Sequence, residues 1–534
     1  MAQYFSARTK DIATGNFQPL RFTFVGKDGT TDPDLQRLRT FAGSFDSVTK
    51  GKLVTSANGG SYQFLAGNQL FGSSFVPGIQ AEASAATVSF PVGNFLAYAT
   101  RGPLSYLDSQ VIKASPLPGS DSTFDHPFII VPALVPSGWT AFDVPGPSQA
   151  TGGGMLPSEK LSSALAENVS VVGLLENDRF EDAEQVYKDF VLEFNIIGLD
   201  ASYRTAIGTD PLTFGARSTS LIQDGAASAF FTPVPRVERN RGAKSSQGWN
   251  LADFIKQSEG SYVVVHRPRG PNGIFTLRGF SPTVPLGTGV NAWWNATGPL
   301  SQGATVGSFN ALELLRGEGF SASNPAAWFT EFKAVRRDWF ALLNQQTPAN
   351  FTKGLGLSSG LYSLDTPVGL ARTYLKLGTA LPTQTDLSAV QNALKSGAAV
   401  ASTGPLLDVS INGIGPGGTA TGASQNISII LYAPDWVPVD EIRIIANGQV
   451  VQTLDPNTFS QGDNSRQRIA SVQLNLPAAK DAWIVVEAGV PLAQTGPYRV
   501  GTPWSKIQKG MYPIAITNPI FVDVNGGGYV PPGL

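Results

Sequence analysis

Hydrophobic periodicity changes twice along this chain, and those two changes limit its fold more than any other feature. From Phe17 to about Pro136, short alternating runs such as PLRFTFVG, ATVSFPVGNFLAYATRG and HPFIIVPALV are separated by Gly, Asp and Ser clusters, the pattern of half-buried strands. From Trp139 to about Gly404, helix-like segments (SEKLSSALAENVS, EDAEQVYKDFVLEF, NLADFIKQSEG, AAWFTEFKAVRRDWFALLNQQ) alternate with apolar strands (VVGLL, SYVVVH, FNALELL), which argues for an α/β domain with a largely parallel sheet. Beyond Leu406 the period-2 alternation returns, with Asn447-Gly448 placed as a tight hairpin turn. The reading is a multidomain chain, α/β plus all-β: an N-terminal β domain over 1–136, an α/β domain over 137–405 and a C-terminal β-sandwich over 406–534.

Composition narrows the function classes. A net charge of -2 over 534 residues leaves no surplus of Lys and Arg for phosphates, so nucleic acid is not an expected partner. With only 15% charged residues there is little self-repulsion, and homo-oligomers or complexes with other protein subunits are expected. The absence of cysteine excludes disulfides, zinc ribbons and thiol nucleophiles. No run of 18 apolar residues predicts membrane insertion. The opening MAQYFSARTK has no apolar export core, and the expectation is an extracytoplasmic protein whose signal is missing or already removed.

The chain has two histidines. His126 reads as a turn residue. His266 ends an apolar run in VVVHRPRG, where a strand opens onto a loop, the place where α/β enzymes keep catalytic groups. One reading makes it a partly buried histidine satisfied by a backbone or carboxylate partner. Another makes it part of an anion site with Arg267, Arg269 and Arg372. Asp143, Glu176 and Asp178 supply oxygens that would suit one hard cation, but carboxylates at strand ends also serve as caps and ion-pair partners.

Several stretches in order (GTTDPD, PVGNFLAYATRGPLSYLD, LSSALAENVSVVGLLEND, VVVHRPRGPNGIF, FNALELLRG, DWFALLN, VGLARTYL, ALKSGAAVASTGPLLDVSING and WIVVEAG) resemble the CehA/McbA-type branch of the PHP-domain metallohydrolases. The resemblance implies a central distorted (β/α)7 barrel flanked by two β-sandwich-like domains, with up to three divalent metals held by His and carboxylates at strand ends. The positions that match the family's ligands read differently here. Asp143 and Pro145 stand where the family has an His-x-His pair, and Glu176-Asn177-Asp178 stands on an acid-His-Asn/Asp box. His266 occupies an Asn position and Arg267 a ligand position, while Ser359 and Leu361 fall in the Ser-Asp-Ser-His motif. Proline has no ligating side chain, and a guanidinium brings positive charge to a site meant for cations.

The expected function is therefore a catalytically inactive PHP-like pseudoenzyme acting as a structural or binding component, with no metal or other cofactor. Two rivals remain open: a phosphoesterase or amidohydrolase working through the surviving carboxylates, and an anion or carbohydrate binder that uses the vacated cleft and draws on nine tryptophans.

Overall fold

Alternating apolar residues in the first part of the chain build an antiparallel sheet in the order Gln63–Ala66, Gln69–Gly72, Leu20–Lys27, Gly93–Thr100, Asp108–Ala114. The computed structural model describes residues 9–11, 20–33, 63–66, 69–72, 92–114, 128–130, 135–146, 157–177, 212–231, 247–258, 260–317, 325–358, 367–378, 387–462, 467–477 and 480–534. The expected helix EDAEQVYKDFVLEF lies outside them. The protein is a mixed α/β molecule with several sheets and few helices.

Among the described residues the central region supplies nine strands to one large sheet. They are β1 (Trp139–Asp143), β2 (Val171–Asn177), β3 (Leu212–Ile222), β4 (Gly225–Phe230), β5 (Tyr262–His266), β6 (Ala311–Arg316), β7 (Lys353–Leu357), β8 (Arg372–Lys376) and β9 (Ala399–Ser402). The order across the sheet is β7-β6-β5-β4-β3-β2-β1-β8-β9. Pairs β1/β2, β2/β3, β5/β6 and β6/β7 are parallel, while β4 and β8 run against their neighbours. Helices α1 (Pro157–Ala166), α2 (Leu251–Gln257), α3 (Ile274–Leu277), α4 (Pro325–Leu343) and α5 (Ser388–Ser396) lie between strands. The strict strand–helix alternation of a (β/α)7 ring is broken at β3–β4. There Ile222 pairs with Gly225, so Gln223 and Asp224 alone make the connection, and two residues cannot hold a crossover helix.

Helix α4 shows why its sequence folds as it does. Trp328, Phe332, Val335, Trp339 and Leu342 recur at steps of three and four, and all are buried. They join Phe254, Val263, Val265 and Leu312 in one core, each large side chain contributing roughly 1.5 to 3 kcal/mol by leaving water.

The large ladder does not stop at residue 405: β9 pairs with Ile514–Thr517, which pairs in turn with Ala482–Gly489 and so leads to Glu441–Ala446. A four-stranded sheet built on Leu406–Ile411 and Ser424–Tyr432 shares a core with this extension through Leu407, Val409, Ile427, Ile429, Ile442, Ile444, Ile484 and Val522. Asn447 and Gly448 adopt φ of 49° and 85°, as a tight two-residue hairpin requires. The C-terminal tail docks on its own chain. Val530 N–H donates to Asp481 Oδ2 at 2.7 Å, Gly533 N–H donates to Asn344 O at 2.8 Å, and Tyr529 sits edge-on to Phe521.

Candidate functional site

The outer edge of β7 decides how the strand ends meet. This strand reads KGLGL, and both glycines are demanded by close approach: a Cβ on Gly354 would lie 2.2 Å from Leu314 Cδ1, and one on Gly356 would lie 2.5 Å from Arg372 O. Along that edge the N–H and C=O of Gly354 and Gly356, and the N–H of Ser358 just past the strand, are taken by side chains rather than by a strand. Asn518 accepts from Gly354 N–H at 2.7 Å and donates to its carbonyl at 3.3 Å. Thr373 Oγ1 accepts from Gly356 N–H at 3.1 Å and donates to its carbonyl at 2.8 Å. Asp143 Oδ1 accepts from Ser358 N–H at 2.7 Å, and Gly146 N–H donates to Ser358 O. β7 is thereby stitched to the ends of β1 and β8 by a side-chain seam.

Asp143 is fully buried at the end of β1, and its oxygens also accept from Gly369 N–H and Val144 N–H, both at 2.7 Å. Burial pushes its carboxyl up to about 6, against the opposing pull of those amides. Gly369 takes φ of 76°, a left-handed conformation that suits glycine, and this turns its N–H onto the carboxylate. Pro145 is buried two residues on. Lys160 of α1, also buried, donates its ammonium to Gly146 O and reaches Leu175 O at 3.5 Å, so a cationic side chain is already seated between the ends of β1 and β2. Glu176 is buried on β2.

At the end of β5, His266 Nε2 lies 2.6 Å from Ser228 Oγ on β4. Its Nδ1 is 3.5 Å from Glu313 Oε2 on β6, an approach without hydrogen-bond geometry. Glu313 accepts instead from Arg267 N–H at 3.0 Å. Serine, histidine and carboxylate follow one another as in a hydrolytic triad. Yet Ser228 is fully buried in mid-strand, paired on one side with Ser218 and on the other with Val264, so no substrate carbonyl reaches its oxygen.

Of the four residues grouped in sequence as an anion site, His266 and Arg267 share Glu313, while Arg269 and Arg372 go to partners of their own. Arg267, at φ of 44°, lines a void of ≈ 10 Å³ with Glu313, Arg316 and Glu331, a charge-balanced space that holds no more than one water. Arg269 binds Asp338, donates to Phe280 O at 2.8 Å and lies over the rings of Phe275 and Phe280. Arg372, buried at the start of β8, donates from Nε to Gly369 O, from Nη1 to Glu167 O and from Nη2 to Glu167 Oε2. His126, Asp178, Ser359 and Leu361 lie outside the described residues, as does the side chain of Asn177.

Among the described residues the donor set does not fit a multinuclear metal centre. Asp143 spends its oxygens on three amides, Pro145 offers no ligand, and Arg267 carries a cationic side chain. Among the described residues no three of His, Asp and Glu converge as a cation needs. Sequence reasoning missed Ser228, Lys160, Glu167, Glu313 and Thr373. Only Glu313 had a visible signal, as an acid inside the otherwise apolar strand ALELLR.

No family model matches the sequence, and no curated protein matches it. Among solved structures, the chain is similar to a two-domain protein containing a predicted PHP-like metal-dependent phosphoesterase from Bacteroides vulgatus ATCC 8482, at 11% identity and a TM-score of 0.32, covering 66% of this chain and 91% of that one. It is also similar to an engineered protein at 13% identity and a TM-score of 0.14, covering 40% of this chain and 41% of that one. At those scores neither likeness carries an argument about activity. Among the described residues no helix is long and apolar enough to cross a membrane.

Proposed function

We propose that this chain is a catalytically inactive relative of the CehA/McbA-type PHP metallohydrolases, a distorted barrel whose metal-ligand positions have been given over to structure. In this reading it serves as a structural or binding component, outside the cytoplasm, in a homo-oligomer or with other protein subunits. One observation carries the proposal: Asp143, at the place of the family's first ligand pair, accepts three backbone amides and closes the seam along β7. Lys160 between β1 and β2, and Arg267, which lines one void with Glu313, add positive charge where a metal centre needs donors.

The test is metal content joined to turnover. Purified protein is dialysed against zinc, manganese, iron(II) and magnesium, its bound metal is counted by mass spectrometry, and hydrolysis of an aryl phosphodiester is followed. The expected outcome is a bound fraction far below one equivalent and no turnover. Stoichiometric metal, lost in both Asp143→Asn and Glu176→Gln, with activity that a chelator abolishes, overturns the proposal. For the assembly half, sedimentation at micromolar concentration is expected to show species larger than the 56.4 kDa chain, and a clean monomer refutes it.

A further inference from the structure

The N-terminal sheet meets the central sheet at a buried cluster of three charges. Arg21, on the strand Leu20–Lys27, stands directly opposite Thr100 on Gly93–Thr100. Its guanidinium is fully enclosed, and Nε lies 2.9 Å from Oε1 of Glu167, the residue that follows α1. The other oxygen of Glu167 is already bonded to Arg372 at 3.2 Å. Among the described residues two guanidiniums thus face one carboxylate, which leaves one positive charge in excess away from water.

The two arginines are not equivalent. Arg372 places all three of its nitrogens on acceptors, namely Gly369 O, Glu167 O and Glu167 Oε2. Among the described residues Arg21 finds no hydrogen-bond acceptor for Nε, Nη1 or Nη2, and the hydroxyl of Thr100, its partner across the strands, is buried and unbonded as well. Burial, together with the like charge of Arg372 and against the attraction of Glu167, pushes the Arg21 guanidinium down from its ordinary value. An arginine does not shed its proton in a protein, so it cannot escape the cost of burial by neutralising itself. An unpaired buried charge costs several kcal/mol, and unsatisfied donors add to that.

We propose that Arg21 and Thr100 hold one small monovalent inorganic anion, a halide, which completes the charge balance of the Arg21–Glu167–Arg372 cluster. The charge fixes the valence, since a single excess positive charge is neutralised by a single negative one. Enclosure fixes the size, because the guanidinium has no exposed face through which a polyatomic ligand would enter. The donors are Nη1 and Nη2 of Arg21 and the hydroxyl of Thr100. The ion would fasten the N-terminal sheet to the β8 end of the central sheet. This site is separate from the vacated metal positions and does not depend on whether the chain is an enzyme.

The experiment is thermal unfolding in sodium chloride and in sodium gluconate at equal ionic strength. The midpoint is expected to stay level at low chloride and then to climb with the logarithm of its concentration once the dissociation constant is passed, as linkage requires of a ligand bound only by the folded state, and to stay flat in gluconate. In Arg21→Met the chloride dependence is expected to vanish. Should that variant fail to fold, Thr100→Val removes one donor without touching the charges and is expected to raise the half-saturating chloride concentration roughly tenfold. In crystals grown with bromide, anomalous density is expected within hydrogen-bond reach of both Arg21 and Thr100. Equal midpoints in the two salts, a chloride dependence that survives in Arg21→Met or is unshifted in Thr100→Val, or density for water alone overturns the proposal.

Discussion

Thr373 and Arg372 are neighbours on β8, yet they belong to two opposite ways of holding a protein together. Thr373 works in the seam, where alternate backbone groups of β7 are matched to Asn518, Thr373 and Asp143, and only Asp143 has a titratable side chain. Arg372 works in the cluster around Glu167, where formal charges face each other in a dry interior. Successive residues of a strand point to opposite faces, so one strand serves both without mixing them. The lesson is that burial treats the two differently: polar groups matched one to one remain cheap, while charges must balance as a set.

The sharpest way to break this contrast is to remove the shared counter-charge. Glu167→Gln leaves two guanidiniums facing each other and is expected to cost about 3 to 5 kcal/mol in urea unfolding. A loss under 1 kcal/mol would mean that the cluster is compensated from elsewhere. Next in size is the pH dependence of the seam. Asp143 titrates near 6 in the folded protein against an ordinary value of 3.8, so its protonated form is the one folding favours. That stabilisation is complete below about pH 4 and is lost as pH rises through 6, on the order of 2 to 3 kcal/mol in all. Asp143→Asn cannot titrate, so the stability gap between the two proteins is expected to narrow as pH rises from 4 to 7. A gap that stays constant would show an ordinarily ionised Asp143, the state a bound cation would impose. The smallest effect belongs to Thr373→Val, which keeps the shape but leaves Gly356 N–H and C=O without their partner, a loss of about 1 to 2 kcal/mol. If calorimetry finds that variant as stable as the parent, the seam contributes nothing to closure.

How far the sequence foretold this can be judged residue by residue. The apolar run ending at His266, the periodic face of Pro325–Leu343 and the Asn447-Gly448 turn were all visible, because local pattern alone determines them. Asp143 was visible as a carboxylate at a strand end, but its partners were not. They are backbone amides of Ser358 and Gly369, more than 200 residues away, and an amide leaves no mark in the sequence. Arg372 groups with Arg267 and Arg269 in sequence because all three fall in stretches that resemble one family. Its actual partner, Glu167, lies 205 residues away, in a stretch that reads simply as the end of a helix. Arg21 gave no signal at all, since a lone arginine in an alternating strand looks like one of its solvent-facing residues.

The ladder that runs from β9 into Ile514–Thr517 has a practical corollary. A chain shortened to end at residue 405 would leave Ala399–Ser402 as a naked rim of unmet N–H and C=O groups, an invitation to aggregate. The last twenty or so residues are therefore as much a part of the middle of the molecule as any strand that precedes them.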